Sequence, residues 1–332
     1  MLFDKYILFN IKQIIKESNM DNIKKIGLTA LAGSLVAGTV SAAEMSVTGS
    51  ATMSYSGGDE NATTGAGWTM GDSVTFSASG DVNDIGVTYS VELDGDSAAG
   101  GGGVDNYSLK FDLGDAGTLT FAGHGGSGFM DSNDDVMPTA HEEPWDVVTG
   151  AEGLLIGGLA GNNMFTYDYS HDSGISVKVG YLQSAAGQSA VSYTDYGVTY
   201  TGVEGLTVGY GTGDVEKTVN TKSTHSTMFA KYAIGQITVG LQQSEKDNET
   251  GNDLETTGWG VSYQINDDMA VSYGAQDAEL DNSTVDQETS AVSVSYTMGS
   301  LSIGASYHNA DNIGNTDTND RKAYNVSLGF AF

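Results

Sequence analysis

The last ten residues, Ala323-Tyr324-Asn325-Val326-Ser327-Leu328-Gly329-Phe330-Ala331-Phe332, alternate without a fault. Tyr324, Val326, Leu328, Phe330 and Phe332 fall on one side, and Ala323, Asn325, Ser327, Gly329 and Ala331 on the other. A period of two sends successive side chains to opposite faces of a strand. One face of this strand is therefore large and apolar, the other small or polar. A soluble edge strand could end on any residue, whereas this one ends on an aromatic with no polar tail behind it.

The same grammar recurs upstream. Val-x-Tyr, with Ser, Thr or Gly in the middle, begins at Val87, Val179, Val191, Val198, Val208, Val261, Val271 and Val294. Each copy places two strand-favouring residues on one face and a small residue on the other. Ile85, Val87, Tyr89, Val91 and Leu93 extend one copy; Leu301, Ile303, Ala305 and Tyr307 repeat the alternation. Tyr recurs near strand ends, as an interfacial aromatic girdle requires. A soluble core would not leave the opposite face so uniformly small.

The pattern predicts sixteen strands, near 44–55, 71–82, 85–94, 104–113, 117–123, 162–172, 175–184, 190–201, 205–213, 222–234, 236–246, 254–265, 268–279, 285–297, 300–309 and 322–332. Short turns alternate strictly with longer loops rich in Gly, Asp, Asn and Thr. Such alternation predicts an all-β fold, a 16-stranded antiparallel transmembrane barrel. At Asp195 the strand from Tyr193 to Tyr200 breaks phase, which predicts a bulge or an altered register.

Ahead of the barrel, Asp21-Asn22-Ile23-Lys24-Lys25 precedes a small, apolar run from Ile26 to Val40 and closes on Ser41-Ala42-Ala43. Basic start, short apolar stretch and small-residue site predict a secretory signal peptide over 20–43, with Glu44 the mature start. The apolar run is shorter than the roughly 20 residues of a spanning helix. Residues 1–19 precede a complete signal peptide and are read as an over-extended start, leaving 44–332 as the barrel.

The 332 residues include 46 Gly, 2 Pro and no Cys. Lack of Cys fits an exported protein that does not depend on disulfides. The leader holds five of the 13 basic and three of the 43 acidic residues, so 44–332 carries a net charge of about −32. That excess argues against nucleic-acid partners. Modest hydropathy in a long chain ordinarily suggests disorder, but a barrel with a wet lumen has the same average.

These features resemble the general-diffusion porins of Gram-negative bacteria, in particular the Rhodobacter-like porins of alphaproteobacteria. The likeness covers Glu44 to Phe332. It includes the opening strand Glu44-Met45-Ser46-Val47-Thr48-Gly49-Ser50 and the terminal pattern Tyr324, Val326, Leu328, Phe330, Phe332, which resembles the signal by which outer-membrane barrels are recognised for insertion. The resemblance implies a homotrimer in the outer membrane, among lipid and lipopolysaccharide, with the third long loop folded into the lumen. It also implies a water-filled channel for passive diffusion of small hydrophilic solutes, with no catalytic residues and no required cofactor.

The longest connection here is the third, Gly123 to Gly161, and it contains both prolines, Pro138 and Pro144, and Trp145. A long loop without structure of its own is rare unless functional. Its acids are Asp131, Asp134, Asp135, Glu142, Glu143, Asp146 and Glu152, with no Lys or Arg. Inside a barrel they would form an acidic constriction and favour cations. The resemblance further implies arginines on the facing wall, but Arg321 is the only arginine. Lys110 and Lys178 are carried over as a weak basic wall, with Lys231 a third inward lysine by parity.

Asp131, Asn133, Asp135 and Glu142 fall at positions 1, 3, 5 and 12 of a calcium-loop spacing. Position six is Val136 where that motif needs Gly, so this is not an EF-hand. Calcium held by the crowded carboxylates stays an expectation beside shared protons and mobile cations. His141-Glu142-Glu143 lacks the second His of a zinc-protease helix. The other histidines, His124, His171, His225 and His308, show no ligand spacing and read as solvated or loop residues. No Ser-His-acid grouping is visible, so an enzymatic barrel is not expected.

Overall fold

The computed structural model describes residues 44–59, 67–95, 103–151, 156–158, 161–183, 192–216 and 222–332. The expected leader over 1–43 and Glu152 lie outside the described residues.

Sixteen strands run in chain order among the described residues: β1 (Glu44–Gly58), β2 (Gly67–Val82), β3 (Ile85–Asp94), β4 (Val104–Asp112), β5 (Thr118–His124), β6 (Met164–Ser170), β7 (Ile175–Leu182), β8 (Ser192–Tyr200), β9 (Leu206–Glu216), β10 (Lys222–Ile234), β11 (Ile237–Asn248), β12 (Leu254–Asn266), β13 (Met269–Leu280), β14 (Gln287–Met298), β15 (Leu301–Asp311) and β16 (Arg321–Ala331). Each pairs antiparallel with its sequence neighbours, and β1 also pairs with β16, closing the sheet. Closure leaves no sheet edge, which is what permits strands to cross a bilayer. The largest displacement from the expected strand ends is at β2, which begins at Gly67 rather than 71.

The seam joins the two ends of the barrel. Ser50 pairs with Ala331 and Gly58 with Ala323. Beyond β16, Gly49 and Phe332 exchange both backbone hydrogen bonds, each at 2.9 Å. The terminal residue thereby continues the ladder with the first strand.

Alternation becomes two unlike surfaces. Tyr324, Val326, Leu328, Phe330 and Phe332 are all exposed, while Ala323, Asn325 and Ser327 between them are buried. The same outward face carries exposed Trp68, Tyr210, Leu241, Trp259, Val292 and Tyr307. An apolar face left open while small and polar residues are buried is the inverse of a soluble protein, and lipid is the solvent that suits it. Turn chemistry is equally local: Asn83 and Asp84, with φ of 51° and 65°, close the β2–β3 hairpin. Both central residues of that turn need positive φ, which Asn and Asp tolerate.

The expected irregularity at Asp195 is absent. β8 keeps an unbroken register with β7 and β9. Tyr193 is the residue out of phase: it points inward with Asp195 and Gly197, and all three are buried. Register shifts occur instead between Val91 and Leu93, between Tyr107 and Ser108, and between Gln264 and Asn266.

Candidate functional site

The connection between β5 and β6 returns to the barrel wall on the face opposite the exposed apolar one. Gly126 and Gly161 close its neck with paired backbone hydrogen bonds of 2.9 and 2.8 Å. The segment between them then takes hydrogen bonds from inward residues of successive strands. The N–H of Met130 donates to Asp195 Oδ2 at 2.8 Å on β8, and Tyr193 Oη donates to the same oxygen at 3.0 Å. On β11, Gln242 Nε2 donates to the Asn133 carbonyl at 2.7 Å and its Oε1 accepts from the Val136 N–H at 3.1 Å. One side-chain amide thus serves the loop as a neighbouring strand would.

Further along, Ala140 N–H donates to Ser272 Oγ on β13 at 2.8 Å, and Ser293 Oγ on β14 donates to the Glu142 carbonyl at 3.0 Å. His141 meets Asn325 and Ser327 of β16 at 3.1 and 3.2 Å. His308 on β15 meets the Pro144 carbonyl at 3.3 Å, and Arg321 donates to the Thr149 carbonyl at 3.0 Å. His225 on β10 holds the return path at the Gly157 carbonyl, 2.7 Å away. None of these contacts reaches β1–β4. Each buried amide so satisfied adds about 1 kcal/mol, and leaving its partner unmet costs about as much or more.

Glycines make the room. A Cβ on Gly197 or Gly211 would collide with the Phe129 ring, and one on Gly304 with His141. A Cβ on Gly240 would lie 2.5 Å from Pro138 Cδ, and one on Gly258 2.5 Å from Met137 Cε. Phe129 and Met130 are buried against Phe229. Trp145, Val148 and Ala151 are buried against Ala310, Ile313 and Ala323. Burying a ring such as that of Phe129 stabilises the docked loop by roughly 1.5–3 kcal/mol.

The acids gather into two linked groups. Burial, with Asp135 and Asp131 beside it, pushes Asp134 up to about 7. Burial raises Asp135 as well, with Asp146 the next cause. Glu143 is pushed up to about 9 by burial and by hydrogen bonding and repulsion from Asp146. Glu142 is raised by burial, against the attraction of His141 3.2 Å away. Asp134 and Glu143, each beside a neighbouring carboxylate, are the groups that resist ionisation, because like charges this close do not all ionise.

The remaining expected residues are placed as follows. Lys178 donates to Ser132 Oγ at 2.7 Å, so it braces the root of the acidic loop, directly across from Asp168 on β6. Lys110 stands between Thr88 and Thr120, on the wall arc formed by β2–β5. That arc is hydroxyl-rich, with Ser77 and Ser90 2.8 Å apart, and Asn106 donates to Glu92 at 2.8 Å. In the calcium spacing, the Asn133 amide is turned to the Phe129 carbonyl at 2.8 Å. Among the described residues no three acidic or imidazole side chains are grouped as metal ligands.

Sequence reading missed the receiving wall. His225 and His308, read as solvated or loop residues, are buried strand residues that hold the loop backbone. Asp195 and Gln242 gave no signal beyond the phase break at Tyr193.

Solved structures share this architecture. OmpT, an outer membrane protein of Vibrio cholerae, is 16% identical with a TM-score of 0.68, over 89% of this chain and 99% of that one. The anion-selective porin from Comamonas acidovorans is 14% identical with a TM-score of 0.65, over 88% and 100%. OmpF of Salmonella typhi, solved with daunomycin, is 14% identical with a TM-score of 0.64, over 87% and 98%. At such identities the likeness shows the fold. No curated protein matches the sequence. A family model for Gram-negative porins matches residues 27–332. The chain belongs to the Gram-negative porin family and is an outer-membrane channel.

Proposed function

We propose that this porin is a passive, water-filled and cation-selective channel for small hydrophilic solutes, working as a homotrimer among outer-membrane lipid and lipopolysaccharide. The observation that carries the selectivity is the placement of Asp131, Asp134, Asp135, Glu142, Glu143 and Asp146 on a loop docked against the inner wall. The loop has no Lys or Arg, and β1–β5 supply only Lys110 against it. A narrow passage with low-dielectric walls focuses the field of its lining charges, and acidic linings favour cations. Acids on outer loops are screened beyond a Debye length of about 8 Å. Those at the constriction lie closer than that to a permeating ion.

Burial and neighbouring carboxylates raise Asp134 and Glu143 most, so protons held on these two lower the working charge of the loop at neutral pH. Calcium would compete with those protons for the same oxygens. The test is a planar-bilayer recording in a salt gradient. Neutralising Asp131, Asp135 and Asp146 moves the reversal potential toward zero more than neutralising Asp311, Asp317 and Asp320 does. A larger shift from the second set would place the selectivity outside the third loop.

A further inference from the structure

Beneath the third loop lies a cavity that the constriction does not use. It measures about 610 Å³, is roofed by Met137, Pro138 and Thr139, and opens against the inward face of β9–β12. Register fixes its layout. Thr207, Lys231, Gly240 and Gly260 share one row across four strands; Ala233, Thr238 and Ser262 share the next. Pro138 rests on Gly240. Lys231, one strand away, therefore stands beside the underside of the loop.

Lys231 is half-buried, and among the described residues it has neither an ion-pair nor a hydrogen-bond partner. The cavity that Lys231 lines is otherwise hydroxylic at Thr139, Thr207, Thr238 and Ser262, and Glu204 supplies a carboxylate. A partly desolvated cation among hydroxyls favours a carboxylate, through charge-assisted hydrogen bonding. The volume lies within the range of small-molecule sites. A simple anion must first pass the carboxylates of the loop, which repel it. A zwitterion passes with no net charge, its ammonium group attracted by the same acids.

We propose that this cavity is a subsite for small zwitterionic solutes of dipeptide size, with the solute carboxylate on Lys231 and its ammonium group on Glu204. It would hold a solute briefly after the constriction, at the end of the barrel that carries the short turns. The proposal rests on the channel reading above, and its test separates the two.

Current block is measured in bilayers with alanyl-alanine, N-acetyl-alanyl-alanine and the doubly capped neutral analogue. Alanyl-alanine should block in a concentration-dependent way and the neutral analogue should not. Lys231→Gln should raise the half-blocking concentration about tenfold, the change expected for one lost charge-assisted contact, and Lys231→Arg should restore block. Glu204→Gln should weaken block by alanyl-alanine and leave that by the acetylated form unchanged. Equal block by the neutral analogue, or an unchanged constant in Lys231→Gln, overturns the subsite. Calorimetric titration of alanyl-alanine into detergent-solubilised protein reads binding without conductance, so a silent channel with intact, Lys231-dependent binding would sink the channel reading and spare this one.

Discussion

The carboxylate of Asp195 accepts the backbone N–H of Met130 at 2.8 Å, across 65 positions of sequence. This one contact ties the entry of the third loop to the barrel wall, and Tyr193 Oη steadies the same oxygen. Asp195→Ala removes the acceptor and leaves a buried N–H unmet, at a cost of about 1–3 kcal/mol. The loop should then leave the wall part of the time. Liposome swelling should report entry of larger sugars than the wild type admits, while Asp195→Asn, which keeps an acceptor, should behave nearly as wild type. Equal exclusion limits in all three proteins would show that Asp195 does not set the aperture.

Room for Phe129 is a second determinant. Gly197→Val places methyl groups where the ring sits, as does Gly211→Val. Neither change touches a ladder hydrogen bond, so the barrel should still show heat-modifiable migration on gels. Expelling Phe129 should make the segment around Asp131 to Asp135 several-fold more susceptible to limited proteolysis. A loop as resistant as the wild type's would mean that the ring has another resting place.

Selectivity should depend on pH above neutrality. Asp134 sits up at about 7 and Glu143 at about 9, both through burial and neighbouring carboxylates. As pH rises from 6 to 9.5 these groups lose their protons and the loop gains negative charge. Reversal potentials in a salt gradient should therefore move toward the cation limit over that window, and the double variant Asp134→Asn, Glu143→Gln should flatten the profile.

The same shifts carry a stability consequence with a definite sign. Folded-state values lie above those of the unfolded chain, so the folded loop holds more protons between about pH 4 and the raised values. Stabilisation from these groups is full below about pH 4 and falls as pH rises from there, until it is lost above the raised values of about 7 and 9. Hydrogen exchange of the amides of Met130, Val136 and Ala140 should accelerate above pH 7 beyond its intrinsic pH dependence. Protection that stays constant after that correction would argue that the acids are not desolvated.

At the seam, deletion of Phe332 removes both hydrogen bonds to Gly49 and the last aromatic of the expected insertion pattern. The deletion should lower the outer-membrane level and leave unfolded protein in the periplasm, read by fractionation and gel mobility. Normal membrane levels would remove Phe332 from the assembly signal.

Residues such as Val326, Tyr324 and the eight Val-x-Tyr copies determined the barrel by themselves. A strand's two-faced environment is written every second residue, and turn signals such as Asn83-Asp84 or Gly235 are local, so strand number, pairing order and lipid-facing side follow from short windows. The acidic third loop was likewise legible, as an unusually long connection without a basic residue. What received it was not. Asp195, Gln242, His308 and the glycines Gly197, Gly211, Gly240 and Gly304 are, in sequence, only further small or polar inward residues. Nothing periodic distinguishes an inward glycine facing water from one that accommodates Phe129 or Pro138. Their contacts join the loop to residues 65 to 164 positions away, and only closure of the barrel brings them into reach. Charge state was decided in the same way: desolvation by the docked loop, absent from any local window, raises Asp134 and Glu143 and lowers the charge the loop carries at neutral pH.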